Sequence, residues 1–291
     1  MRKSEYAGFK SQSAMEYLMT YGWAILVIAI VLVALYEIGI FNPYYFTLKA
    51  SPGSCQAVRN SQGANFVGQC LSAIPKYVLG LAGSSSAVQG NGFGTLNNRA
   101  QPFTISIWVD PTSSSGIVVD ELSRGGAWHD SWIELVNGNA YIRMWSLPCI
   151  SVGQVPTDQW SNIIMTYDGS TYTGYVDGVQ GGSRSGTRSV PGGANQMFYS
   201  LGASDSTNCG SGAKYNGMLS NFQFYNISMT AGQVHTLYME GIGGVPISAQ
   251  YILGWWPLNG DANDYSGNSD NDQTNGPINY IGYWYNGYTQ P

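Results

Sequence analysis

Two hydrophobic patterns divide the chain. From Tyr17 to Tyr36 twenty residues run without a charge, between Glu16 and Glu37. A helix of that length reaches about 30 Å, the thickness of a bilayer's hydrocarbon core. From about Gly80 onward the pattern becomes short apolar runs between turn residues. Residues 103–109, 117–119, 132–136, 140–145, 160–167, 171–176 and 221–225 are strand-like runs of this kind. Asn137-Gly138, Asp168-Gly169-Ser170 and Asp177-Gly178 link neighbouring runs. Asn-Gly or Asp-Gly at such a junction is a strong hairpin signal. Strands joined by tight turns at this spacing predict two antiparallel sheets packed face to face. One helix is predicted from Ala231 to Glu240, with Thr230 and Gln233 as a capping box and Gly241 as its stop.

The flanks of the first run set its direction. Arg2, Lys3 and Lys10 precede it with only Glu5 against them. The positive-inside rule keeps that end cytoplasmic and puts the bulk of the chain outside. A secretory signal would have a shorter apolar core with small residues at a cleavage site after it. Here a polar tract, Lys10 to Glu16, comes before the run instead. Ala14, Gly22, Ala24, Ala29, Ala34 and Gly39 leave flat spots for helix–helix contact. Aromatics gather at both ends, as interfacial belts do. Asn42-Pro43 is expected to end the helix, because a residue before proline disfavours helical geometry.

Composition adds an extracellular character. Only 10% of residues are charged, the net charge is −5, and no Lys/Arg cluster suggests nucleic acid. Cys55, Cys70, Cys149 and Cys209 all lie beyond the apolar run. An even count outside the membrane predicts two disulfides. Three pairings are possible, of which Cys55–Cys70 and Cys149–Cys209 is preferred.

The tract Lys10, Ser11, Gln12 and Glu16, followed by Tyr17-Leu18-Met19-Thr20-Tyr21-Gly22-Trp23-Ala24-Ile25-Leu26, resembles the class III signal peptide of archaeal type IV prepilins. The resemblance implies that a membrane peptidase cuts between Ser11 and Gln12. Residues 1–11 would be removed, and a helix over 12–42 would stay on the mature protein. Glu16 would become its fifth residue, where it could pair with the new amino group of Gln12. A carboxylate at a membrane helix's edge needs such a partner and suits the helix dipole. The residues alone also allow an uncleaved single-pass anchor.

Phe103 to Pro111, then Trp160 to Gly169 with Tyr175-Val176-Asp177-Gly178, then Leu201-Gly202-Ala203 and Asn216 to Asn226, resemble concanavalin A-like, laminin-G-type domains, in order. The fold implied is mainly β, a jelly-roll sandwich after the N-terminal hydrophobic α-helix. The domains expected are the helix at 12–42, a neck at 43–79, the sandwich at 80–250 and a C-terminal segment at 251–291. In many such domains a segment like Trp256 to Asn268 opens the fold, whereas here it comes late. It could close its own sandwich, pair with a neighbour's edge strand, or begin a truncated second module. Self-closure is preferred.

Catalytic chemistry is sparse. His129 and His235 are the only histidines, and no Cys/His cluster has zinc spacing. No nucleophile elbow or phosphate loop appears. Glycan hydrolases need two carboxylates brought together, but Asp120 and Glu121 are adjacent and would face opposite sides of a strand. The expectation is not an enzyme. Trp128-His129-Asp130, behind Gly125-Gly126, is the candidate glycan-binding loop, with Trp145 a possible companion. Core packing is the simpler role for these tryptophans. Asp261, Asn263, Asp264, Asn268, Asp270 and Asp272 form an oxygen-rich stretch. Calcium, the only cofactor suggested, would take such ligands, although turn hydrogen bonds explain the same residues. Asn226-Ile227-Ser228 is the only glycosylation sequon.

The expectation is a structural subunit of an archaeal type IV pilus-like surface filament, displaying a lectin-like head for adhesion. Its precursor would sit in the membrane. Its partners would be copies of itself through the helix, prepilin peptidase and the pilus assembly machinery, and glycans or other cells. The alternative is a membrane-anchored, non-polymerising receptor for glycans or proteins. Mass spectrometry of the cell-derived protein is expected to find Gln12 at its N-terminus. An intact Met1 would instead select the receptor.

Overall fold

The computed structural model describes residues 21–33, 74–83, 87–91, 100–123, 129–189, 197–202, 209–268, 273–275, 278–289 and 291. The chain divides into two units, Met1–Thr47 and Leu48–Pro291. In the first, helix α1 covers residues 21–33, about 20 Å at the α-helical rise. No helix among the described residues is long and apolar enough to cross a membrane. The described helix is thus shorter than the bilayer-length span predicted over 12–42. The remainder of that span, with Ser11, Gln12 and Glu16, lies outside the described residues, as do Cys55 and Cys70.

The second unit is an antiparallel β-sandwich. Its strands are β1 (Val78–Ala82), β2 (Ala87–Asn91), β3 (Phe103–Pro111), β4 (Gly116–Ser123), β5 (His129–Val136), β6 (Asn139–Ile142), β7 (Ile150–Gln154) and β8 (Ser161–Tyr167). There follow β9 (Thr171–Val176), β10 (Val179–Ser185), β11 (Met197–Leu201), β12 (Asn216–Tyr225), helix α2 (Ala231–Met239), β13 (Ile252–Trp256), β14 (Gln273–Asn275) and β15 (Asn279–Ile281). One sheet runs β10-β9-β8-β3-β12-β1-β15, with β13 also on β12, and the other runs β14-β2-β11-β4-β5-β6-β7.

The turn chemistry explains the local hairpins. Asn137 and Gly138 both have positive φ, 50° and 78°, as do Asp177 and Gly178 at 51° and 74°. That is the type I′ geometry whose twist matches paired strands. β6 ends at Ile142 rather than running on to Trp145 as predicted. The chain turns there because Leu147 N–H donates to the Met144 carbonyl and the Arg143 Nε–H donates to the Leu147 carbonyl.

The core between the sheets is aromatic at one end. Phe103 stacks on Trp132 and Phe224 at 5.6 and 5.7 Å between ring centres. The outer face of the eight-stranded sheet is also covered. Val234 and Leu237 of α2 pack with Ile164, Tyr225 and Trp255. The C-terminal Trp284 packs with Trp108 and Trp160. Helix α2 has the predicted capping box of Thr230 and Gln233, and Gly241 follows its end with φ 80°.

The late segment folds onto its own sandwich. β13 pairs with β12, β14 with β2 and β15 with β1. At the opposite edge the two sheets approach through glycine. A Cβ at Gly181 would meet the Val152 carbonyl, and one at Gly174 would meet the Val152 side chain. Glycine lets these backbones come close.

Under α2 lies a polar network. The Trp255 indole N–H donates to Asn221 Oδ1 at 2.8 Å, Gln223 Nε2 donates to the same oxygen at 2.9 Å, and Asn221 Nδ2 donates to the Gly244 carbonyl. Glu240, the C-cap of α2, is buried beside it. Burial raises its carboxyl from an ordinary 4.5 to about 7. Burial, and then the charge of Asp158, raises Asp110 from 3.8 to about 6. The fold prefers both acids neutral, so each contributes stability below its unfolded value and loses it as pH rises through its folded value. Thermal melting is therefore expected to drop as pH rises from about 4, near the unfolded values, to about 7, the higher folded value. Glu240→Gln is expected to flatten that drop, as measured by calorimetry across pH.

Candidate functional site

Antiparallel order gathers the candidate loops. β4 leads into the connection 124–128 and β5 leads away from it, while β6 and β7 flank 143–149 in the same sense. The end of β4, the start of β5 and the 143–149 connection therefore lie at one end of the seven-stranded sheet. β11 starts at that end too, with Met197 opposite Ser123. Ser189 N–H donates to the Trp145 carbonyl at 3.2 Å, which brings the segment after β10 to the same place.

Of the predicted ligand residues, the backbone of His129 and Asp130 and the residue Trp145 lie at this end. His129 and Asp130 are the first two residues of β5, in register with Leu122 and Glu121 of β4. Trp145 is half-buried in the β6–β7 connection. Trp128 lies outside the described residues.

Beneath the loops sits a buried ion pair. Arg188 Nη1 is 3.7 Å from Glu121 Oε1, and the two side chains are 1% and 3% exposed. The guanidinium lies 5.6 Å from the centre of the Phe103 ring, a cation–π contact. Arg188 N–H donates to the Tyr167 hydroxyl, which donates to the Gly169 carbonyl at 2.7 Å. Core rings, strand β4 and the 186–189 segment are thus held together. Nothing in the sequence marks Arg188, a lone cation in a polar loop.

The other face of the seven-stranded sheet is crossed by a second anchored segment. Glu134 accepts Cys209 N–H on Oε1 at 2.9 Å and Ser211 N–H on Oε2 at 3.1 Å. Cys149 and Cys209 form a disulfide, the preferred pairing. It closes a 60-residue separation, worth about 4 kcal/mol in the chain-entropy account. Asp120, buried on β4, shares its row with Ser131 and Ser200.

The oxygen-rich stretch follows β13. Asp264 is buried; its Oδ1 accepts Trp255 and Ser266 N–H at 3.0 and 2.8 Å, and its Oδ2 accepts the Ser266 hydroxyl. Asp261 accepts Asn263 N–H and the Tyr265 hydroxyl. Asp270 lies outside the described residues. Among the described residues no three of His, Cys, Asp and Glu gather as a metal would require. Asn226, half-buried at the end of β12, donates its N–H to the Tyr251 carbonyl.

The buried pair sets a measurable cost. Arg188→Met is expected to destabilise the head by about 3–5 kcal/mol, because it strands Glu121 away from water. Adding Glu121→Gln is expected to recover part of that loss. Chemical denaturation of the single and double variants measures the coupling.

The sequence matches the family model of the concanavalin A-like lectin/glucanases superfamily over residues 82–235, just over half of the chain. No curated protein matches it. Among solved structures, a candidate carbohydrate-binding protein from Bacteroides ovatus superposes with TM-score 0.52 at 14% identity, covering 72% of this chain and 61% of that one. This chain therefore spans about three fifths of that protein. A heptameric pentraxin of Limulus polyphemus gives 0.49 at 13% identity, over 72% of this chain and 97% of its own. Domain 4 of an extracellular arabinanase from Geobacillus stearothermophilus, solved with arabinotriose, gives 0.42 at 23% identity, over 55% and 76%.

Proposed function

The chain belongs to the concanavalin A-like lectin/glucanases superfamily, and we propose that its sandwich is a glycan-binding head presented outside the cell on a pilin-type N-terminal helix. One observation carries the binding role. That role is supported by the antiparallel order, which sets the start of β5, with His129 and Asp130, at the same end of the sheet as the connection holding Trp145. Aromatic faces with amide and carboxylate partners suit sugar rings, which offer both C–H faces and hydroxyls.

Binding is favoured over hydrolysis by what the carboxylates do. Glu121 is paired with Arg188, and both oxygens of Glu134 hold backbone N–H groups. A glycoside hydrolase needs an acid and a second carboxylate free to face one glycosidic bond. The display role rests on the apolar run and on the tract from Lys10 to Glu16. Copies would pack through that helix into a filament, and the heads would face the surroundings. A receptor that never polymerises would keep the same head and differ at the N-terminus.

The test uses the full chain in detergent on a glycan array, beside Trp128→Ala and Trp145→Ala. The wild type is expected to bind a defined set of sugars, each variant to bind them about tenfold more weakly, and no sugar to be released. Equal binding by all three proteins would remove the loops from the role. Sugar release abolished by changing one carboxylate would make the protein an enzyme.

A further inference from the structure

The C-terminal tail carries a feature that neither the core nor the loop end explains. Within the described part of the second unit, only four large hydrophobic residues are exposed: Val179, Tyr251, Tyr283 and Tyr285. Two of them flank one buried tryptophan. Tyr283 is 97% exposed, Trp284 is buried and Tyr285 is 49% exposed.

The backbone between them is held on both sides. The Trp284 indole N–H donates to the Pro75 carbonyl at 3.1 Å. The Trp284 carbonyl accepts the Trp160 indole N–H at 3.4 Å, and the two rings meet edge-on at 5.4 Å. Trp160 N–H donates to the Gly287 carbonyl at 3.0 Å, and a Cβ at Gly287 would meet the Asp158 carbonyl. Tyr283 therefore stands out from a pinned strip, and Tyr285 leans on the Trp284 ring at 4.9 Å between ring centres with half of its surface exposed. A backbone fixed before a ligand arrives removes part of the ordering cost from binding.

The surroundings select the ligand. No charged residue occurs from Gln273 to Pro291. Asn286 and Thr289 are exposed beside the tyrosines, and nearby Lys76 lies over the Tyr77 ring at 5.0 Å. Beside the strip the exposed Lys76 and Asp158 carry opposite charges, so its rings, amides and hydroxyls lie in surroundings of no net charge, which fit a neutral, hydroxyl-rich partner better than an acidic or basic one. The strip also lies at the far end of the sandwich. Trp160 precedes β8, whose Ser161 faces Val109, whereas the loop end lies beside Phe103 and Tyr167.

We infer that Tyr283 and Tyr285 form a second binding platform, for neutral oligosaccharides, independent of the loop end. Two platforms at opposite ends allow one head to bridge two chains of a polysaccharide, and linked sites gain avidity without any new contact.

The test is affinity electrophoresis of the full chain in gels cast with galactomannan, arabinan or laminarin, and with alginate as the charged control. It is run in a Trp128→Ala/Trp145→Ala background, so the loop end does not contribute. Retardation by at least one neutral polysaccharide, and none by alginate, is expected to persist in that background. Tyr283→Ala/Tyr285→Ala is expected to weaken it about tenfold or more, which is ~1.4 kcal/mol. Tyr283→Phe/Tyr285→Phe keeps the rings and is expected to retain most of it. Tyr285 also packs on the Trp284 ring at 4.9 Å, so Tyr283→Ala alone, whose side chain is 97% exposed, is the variant expected to melt with the parent and still to weaken retardation. Free migration of the background protein in every neutral gel would overturn the proposal. So would retardation unchanged by the alanine substitutions, or a loss of dimers in sedimentation with retardation intact, which would identify a second copy as the occupant.

Discussion

All nine residues of β3 and all seven of β8 are withdrawn from water. Alternate residues of a strand face opposite sides, so burying every one means covering both faces of the sheet. The inner face is covered by the opposing sheet. The outer face has no partner sheet, and apolar surface left there would forfeit about 25 cal/mol per Å². Helix α2 covers one part and the tail around Trp284 covers the other. Much of the remaining architecture answers that requirement. The segment after α2 must return across the sheet, and in doing so it supplies β13, β14 and β15.

Coverage also explains where rigidity lies. Trp284 cannot leave without uncovering Trp108 and Trp160, so the tail is fixed and its neighbours Tyr283 and Tyr285 are displayed. At the other end, the loops are tied down by polar contacts. Arg188 reaches into the core to meet Glu121, and the disulfide with Glu134 holds the segment at 209–211. A buried pair of this kind adds little net stability, because desolvation offsets its attraction. Its effect here is positional. It fastens the 186–189 segment beside Trp145.

The same contacts bear on chemistry. Carboxylates that hold backbone N–H groups or a buried guanidinium are not available to move protons between solvent and a sugar. Exposed aromatics on a fixed backbone require no such freedom. A sandwich built this way is consistent with the proposed role in recognition.

Local patterns in the sequence determined a good deal. Alternation in Phe103 to Val109 and in Thr171 to Val176, the Asn-Gly and Asp-Gly turns, and the Thr230–Gln233 box are all readable because each acts within a few residues. Short, glycine-rich or polar strands such as β2 and β10 carry no such signal, and are strands because a neighbour's backbone offers hydrogen bonds. The Cys149–Cys209 pair was one of several arrangements until the fold brought two distant loops together. Arg188 and Glu134 were invisible for the same reason: each gains its role from a partner 67 and 75 residues away along the chain. Composition could say that the tail is aromatic and uncharged. Only tertiary packing decided which of its rings is buried to hold the strip and which two face water, because that choice depends on Trp108, Trp160 and Pro75 arriving from elsewhere in the chain.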